Sequence, residues 1–262
     1  MLVTGATDGL GRGLALKLAG AGATVLVHGR DPERLRATSH ELRAVEGAGP
    51  VRAYRADLAS LAEVRALADA VLAAETRLDV LVNNAGIGAS IPGGGERMES
   101  ADGFELRFAV NYLAGYLLTH RLLDLLRVSA PARIVNVSSA GQMALDFDDL
   151  MLERDYSGVR AYCQSKLAQV LFTFELAETL AGSGVTATCL HPATYMPTKI
   201  VPQPVSTLEE GVEATFALVA GEALEGVSGR YFNGTRESRA DPQAYDPGAR
   251  RRLDEISRRL VA

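Results

Sequence analysis

The sequence predicts a doubly wound α/β fold, with a mostly parallel seven-stranded sheet and helices on both faces. Three observations predict it. Short apolar runs suited to strands recur at 2–4, 24–28, 51–55, 80–83, 133–138, 186–191 and 230–233. Helical patterns lie between them at 10–20, 31–46, 60–74, 103–127, 159–181 and 207–220, and a last helix is expected at 248–260. Three long connections, 84–102, 139–158 and 191–206, all follow strand C-termini. That is the edge at which open α/β sheets bind ligands, and long loops in a compact domain are usually functional.

The bulk numbers are those of an ordinary globular protein. The chain has 262 residues, 47% of them apolar and 23% charged. No repeat, linker or low-complexity segment divides it, so 1–262 reads as one domain. A net charge of −5 argues against a nucleic-acid or membrane-surface binder. Two cysteines, Cys163 and Cys189, suggest a reducing compartment and a cytoplasmic location. No run is apolar and long enough to span a membrane, no signal peptide is recognised, and no His/Cys/acid cluster has metal-ligand spacing.

The first strand runs into Thr4-Gly5-Ala6-Thr7-Asp8-Gly9-Leu10-Gly11 and then into a helix. Glycines at 5, 9 and 11 let the backbone turn sharply and approach a ligand closely. The helix N-terminus offers free N–H groups and a positive dipole end to a pyrophosphate. This strand–turn–helix is the opening of a Rossmann-type dinucleotide fold. The second strand ends in Gly29-Arg30-Asp31. A carboxylate at that end would accept hydrogen bonds from a ribose diol. Here a guanidinium stands instead, which suits a 2′-phosphate and favours NADP over NAD. Asp31 leaves a second reading open, in which it pairs with Arg30 or caps the next helix.

Tyr162 and Lys166 stand four residues apart at the start of a helical run, so they share one helix face. Such pairs are common on amphipathic helices and alone prove little.

Several motifs occur in register with the strand ends. They are "TGATDGLG", "ADL" at 56–58, "NNAG" at 83–86, Asn111 in "VNYLAG", "VNVSS" at 135–139, "YCQSK" at 162–166 and "HPATYMPT" at 191–198. With them, the chain resembles the short-chain dehydrogenase/reductases over almost its full length, and most of all their retinol-dehydrogenase-like branch. The resemblance implies that Tyr162 and Lys166 are the catalytic pair. Ser139 would bind the substrate oxygen, and Asn111 would help position the lysine, directly or through water. Asp57 would face the adenine, while Asn83 would stabilise the central strand and line the adenosine pocket. Leu58, Ala85, Gly86, Pro192, Thr194 and Thr198 complete the implied cofactor-binding set, in which Tyr162 and Lys166 also take part.

The chemistry agrees. A phenol with a reference pKa near ~10 is a poor base at neutral pH, and an adjacent ammonium favours its ionised form. Hydride comes from the cofactor and the proton from Tyr162, so a carbonyl and an alcohol interconvert. The loop residues at 87–98, 141–158 and 194–206 favour an apolar, uncharged substrate.

The chain departs from the family pattern in places. Only Met1 to Val3 precede Thr4, fewer residues than family members usually have there. Pro192-Ala193 replaces the usual Pro-Gly, and Pro197 displaces the expected threonine, which leaves Thr198 as the carboxamide contact. Gly141–Gly158 forms an added loop expected to border the substrate pocket. Alternative functions on the same fold are a non-catalytic dinucleotide-binding regulator and a C=C reductase. His28, His40, His120 and His191 are ascribed to packing or exposure. A homo-oligomer through helices 103–127 and 159–181 would use Leu113, Leu117, Val170 and Phe174, unless these residues serve the core.

Overall fold

The structure is a computed structural model that describes residues 1–90, 95–197 and 203–262. All seven expected strands form: β1 (Leu2–Val3), β2 (Val25–Gly29), β3 (Val51–Arg55), β4 (Val80–Asn83), β5 (Ala132–Val137), β6 (Val185–His191) and β7 (Arg230–Asn233). They pair in parallel, and an eighth strand, β8 (Arg236–Ser238), folds back antiparallel on β7. The order across the sheet is β3-β2-β1-β4-β5-β6-β7-β8.

β8 corrects the expectation of seven strands. It follows a tight turn in which Gly234 takes φ +61°, and it carries exposed Arg236 and Glu237. A three-residue polar edge strand has no apolar alternation by which to recognise it. The Asn233-Gly234 pair is its one signal.

The sheet's two faces explain its sandwiched position. Leu2 sits beside Leu26 and Leu81, while Val3 sits beside Val27 and Val82. Alternate residues point to opposite faces, so both faces carry apolar rows and both need cover. α1 (Gly9–Gly20), α2 (Pro32–Arg43) and α6 (Leu208–Ala220) cover the valine face. α3 (Leu61–Ala74), α4 (Ala114–Val128), α5 (Gly158–Thr179) and α7 (Pro247–Leu260) cover the leucine face. Asp8, Asp31, Ser60 and Ser157 cap α1, α2, α3 and α5, each accepting an otherwise unpaired backbone N–H. Thr207 and Glu210 form a reciprocal capping box on α6.

The helix expected at 103–127 begins later. Gly103 takes φ +81°, and Ser100 Oγ accepts from the backbone of Asp102 and Phe104, so this stretch turns instead. A π-helical turn over Phe108–Leu113 then leads into α4 and carries Asn111. Such turns are rare and often sit at functional sites.

Leu113, Leu117, Val170 and Phe174 are all buried in this chain's own core. α7 packs on α5 and reaches the residues leading into and forming α4. Tyr112 and Ser257 hydroxyls meet at 2.6 Å, Tyr116 donates to Asp254 at 2.8 Å, and Arg250 pairs with Glu175 and Glu178. Among the described residues no helix is long and apolar enough to cross a membrane.

Candidate active site

The glycine-rich turn after β1 is tied down from three sides. Thr4 Oγ1 donates to the Val82 carbonyl and accepts from the backbone N–H groups of Asn84 and Ala85. Asn84 Nδ2 donates to the carbonyls of Thr4 (2.7 Å) and Gly5 (3.3 Å). His28 lies under the turn: its Nδ1 accepts from Gly5 N–H at 3.1 Å, and its Nε2–H donates to the Ala56 carbonyl at 3.2 Å. These bonds fix one tautomer. Burial pushes the imidazole down to about 4, so it is neutral at neutral pH.

Two glycines here are sterically required. Gly5 takes φ +64°, and a Cβ on it would lie 2.8 Å from Ala85 Cα. A Cβ on Gly11 would lie 2.3 Å from the Gly5 carbonyl oxygen. Asp8 caps α1 by accepting from Gly9 N–H, and its carboxylate also meets Arg34 at 3.2 Å. Leu10 is buried under the turn, whereas Thr7 packs against Gly29, leaving no space for a side chain there.

At the end of β2, Arg30 is largely exposed and reaches Asp57 at 3.5 Å. Asp57 Oδ1 accepts from Ala59 N–H. Leu58 is buried in the core. Asn83 is buried too, donating from Nδ2 to Thr119 Oγ1 (3.0 Å) and Asn136 Oδ1 (2.8 Å). Its side chain ties β4 to β5 and α4, and Asn84 is the residue that turns toward the phosphate loop.

The proposed reacting end gathers at the C-termini of β4, β5 and β6. Tyr162 is half-buried on the first turns of α5 and lies near Ser139: a Cβ on Gly141 would lie 3.5 Å from Ser139 Oγ and 3.8 Å from Tyr162 Cε1. Ser138 is otherwise engaged, donating to the Lys166 carbonyl at 2.7 Å. Lys166 Nζ lies 5.8 Å from the Tyr162 ring centre and donates to the Val137 carbonyl and to Gln169 Oε1, both at 3.0 Å. Asn111 does not bond the lysine. Its side chain clasps the backbone of Ile87 on both sides and donates to Ser165 Oγ at 2.9 Å. Gly86 completes this end, since a Cβ there would lie 3.3 Å from Asn111 Oδ1 and 3.5 Å from Lys166 Nζ. Ala85 packs beside the core.

Burial opposes ionisation of both members of the pair. It raises the Tyr162 phenol, while the nearby Ser139 hydroxyl acts in the other direction. It lowers Lys166 to about 7. The ammonium is expected to lower the phenol, but desolvation prevails.

Pro192 is buried and Thr194 is exposed, with its hydroxyl at 3.1 Å from His191 Nε2. Thr198 lies outside the described residues. Of the added loop, the first residues lie nearest Ser139: a Cβ on Gly141 would lie 3.5 Å from its Oγ. Further on, Gln243 holds Leu145 through both backbone groups and Arg252 pairs with Asp148, so the loop is moored to the C-terminal segment. Cys163 is half-buried, and burial raises its thiol, which suits packing better than nucleophilic chemistry.

Thr4, Asn84, Ser138 and Gln169 were not singled out from the sequence, and His28 was ascribed to packing or exposure. Thr4, Asn84 and Ser138 lie within the quoted motifs. Only their hydrogen bonds reveal their tasks.

A glycine cradle at a strand–turn–helix, joined to a Ser/Tyr/Lys set on a doubly wound sheet, defines a dinucleotide-dependent oxidoreductase. The family model for short chain dehydrogenase matches residues 1–207, and the chain belongs to that family. It is similar to human Retinol dehydrogenase 13, with 40% identity over all of this chain and 84% of the human protein. Human Retinol dehydrogenase 14 is 39% identical over all of this chain and 85% of its own length. Among solved structures, a Mycobacterium paratuberculosis protein superposes with a TM-score of 0.79 at 32% identity, covering 99% of this chain and 92% of its own. The Pseudomonas aeruginosa RhlG/NADP active-site complex gives 0.71 at 32% identity, covering 88% and 93%.

Proposed function

We propose that this dehydrogenase/reductase uses NADP(H) to interconvert a carbonyl and an alcohol on an apolar small molecule, with Tyr162 moving the proton. The observation that carries the reading is the gathering of Ser139, Tyr162 and Lys166 at one end of the site, with Lys166 Nζ 5.8 Å from the Tyr162 ring centre. The turn suits a dinucleotide: Gly5 and Gly11 let it pack tightly against Ala85 and Asn84 ahead of the N-terminus of α1. When bound, the nicotinamide supplies or accepts the hydride.

The residues of the chain do the rest. The backbone N–H groups of Leu10 and Gly11 at the start of α1 bind the pyrophosphate, while Gly9 N–H is taken by Asp8. Arg30 turns from Asp57 to the 2′-phosphate, at small cost because the pair is exposed and 3.5 Å apart. Lys166 holds the nicotinamide ribose. In reduction, Ser139 and Tyr162 hydrogen-bond the carbonyl oxygen, and Tyr162 gives up its proton as that oxygen becomes an alcohol.

Support for an apolar alcohol or aldehyde comes from relatives named for retinol and from Met143 and Tyr195, exposed on the loops after β5 and β6. The two free cysteines fit the proposed cytoplasmic location. A panel of apolar aldehydes and ketones, followed at the NADPH absorbance band with NADH alongside, tests the proposal. No turnover of any carbonyl with either nucleotide would overturn it.

A further inference from the structure

We infer that Gln169 is a positioning residue: its side-chain carbonyl and the Val137 backbone carbonyl form a two-acceptor seat that holds the Lys166 amine in place and in its charged form. The inference rests on the proposed role of Lys166 at the nicotinamide ribose and deepens it.

Gln169 lies three residues beyond Lys166 on α5 and is 3% exposed. Its neighbours on the same face of that helix are Ser165, Lys166, Phe172 and Thr173, all buried. Burying a carboxamide costs free energy unless it bonds. Its Oε1 does bond, at 3.0 Å from Lys166 Nζ.

The seat has a fixed base. The Gln169 backbone carbonyl accepts from Thr173 Oγ1 at 2.7 Å, and Thr173 Oγ1 accepts from Asn136 Nδ2 at 2.8 Å. Asn136 is bonded in turn to Asn83 on β4. This turn of α5 is therefore pinned to the sheet, and the amide reaches the lysine from a defined point.

The charge needs such support. Lys166 is buried, and burial alone lowers it to about 7. The groups that face it from other elements are neutral: the Val137 carbonyl from β5, Gly86 after β4, and Asn111 from the π-helical turn, which is bonded elsewhere. Tyr162 is the titratable group that faces it from its own helix. Among the described residues no carboxylate is found to raise it. A hydrogen bond accepted from the charged form favours that form, so two neutral acceptors take the place of a counter-ion. A carboxylate here would also hold the proton, but it would cancel the positive field at the phenol.

The test is NADP⁺ affinity, measured by calorimetry from pH 5.5 to 9, for the parent, Gln169→Leu and Gln169→Glu. Differences between curves cancel the nucleotide's own phosphate titration. In the parent, affinity should fall with rising pH as the lysine loses its proton. Gln169→Leu should move that midpoint down by about one to two pH units. Gln169→Glu should move it up, and its near-identical shape controls for folding. Opposite shifts support the inference, because a packing role moves no midpoint. A uniform loss of affinity with the midpoint unmoved overturns it. A flat parent curve, with Lys166→Ala binding NADP⁺ as tightly as the parent, overturns the ribose contact and this inference with it.

Discussion

Arg30 pairs with Asp57 at 3.5 Å and leaves its chain neighbour Asp31 to cap α2. The two tasks open to Asp31 from the sequence are thus resolved in favour of the cap. Arg30 is held only by an exposed pair, which is worth little.

Replacing Arg30 by Ala should therefore weaken NADPH selectively, by about ten- to a hundred-fold, the worth of a charge-assisted hydrogen bond. NADH should be nearly unaffected. Titrating both nucleotides against parent and variant checks this, and a parallel loss of both would show that Arg30 does not select the cofactor. An acid at Gly29 is a poor way to reverse preference, because its Cβ would lie 2.4 Å from Thr7 Cγ2.

Tyr162→Phe should lower turnover by about 10² or more while NADPH affinity stays within a few-fold. The ring and its packing remain, and only the transferable proton is lost. Steady-state kinetics with a separate binding titration separates the two quantities, and turnover equal to the parent would remove Tyr162 from the reaction.

His28 gives a pH prediction. Its ordinary value of 6.5 is depressed to about 4 in the fold. The unfolded chain therefore takes up the proton first as pH falls. The imidazole's contribution to stability is complete above about 6.5 and is lost between there and about 4, to a total of at most about 3 kcal/mol. Urea unfolding across pH 4–7 should show this slope in the parent and a shallower one in His28→Gln, with NADPH binding also weakened by the disturbed Gly5 turn. Identical slopes would mean that His28 is not the group responsible.

Gly11→Ala should cost both nucleotides about tenfold or more in affinity, because the added methyl would meet the Gly5 carbonyl and the turn must open. Overpacking of this kind also costs about 1–3 kcal/mol of stability, readable by urea unfolding. Nucleotide binding at parental strength would show that the turn tolerates a side chain and is not the cradle.

Much of the fold was legible because the strands alternate so regularly. The leucine and valine rows of β1, β2 and β4 announce a sheet covered on both sides. Helix starts were legible where a capping side chain stands, as at Ser60 and Thr207. The late start of α4 was not, because it depends on the left-handed conformation of Gly103 and on Ser100 bonding to its neighbours. At the site, Tyr162, Ser139 and Lys166 stand together as expected from their motifs. What sequence could not convey is which of two adjacent like residues does the work. Asn83 is spent on β5 and α4 while Asn84 turns to the phosphate loop, and a difference of one residue on a strand reverses the face. His28, ascribed to packing or exposure, and Gln169 showed no task because an isolated buried polar residue looks the same in sequence whether it fills space or braces a loop.

The order of strands places β1 between β2 and β4, with Leu2 paired to residues 26 and 81. The sheet's two wings thus meet at a very short strand, and the Gly5 turn, His28 and Asn84 all lie at that seam. A nucleotide seated there would bridge both wings and act as a thermodynamic clamp. At a concentration of 100 times its dissociation constant it would add about 2.7 kcal/mol to the stability of the folded chain by mass action alone. Resistance to proteolysis would then rise and fall with the nucleotide supply, so the lifetime of the protein would be coupled to the same pool that drives its chemistry.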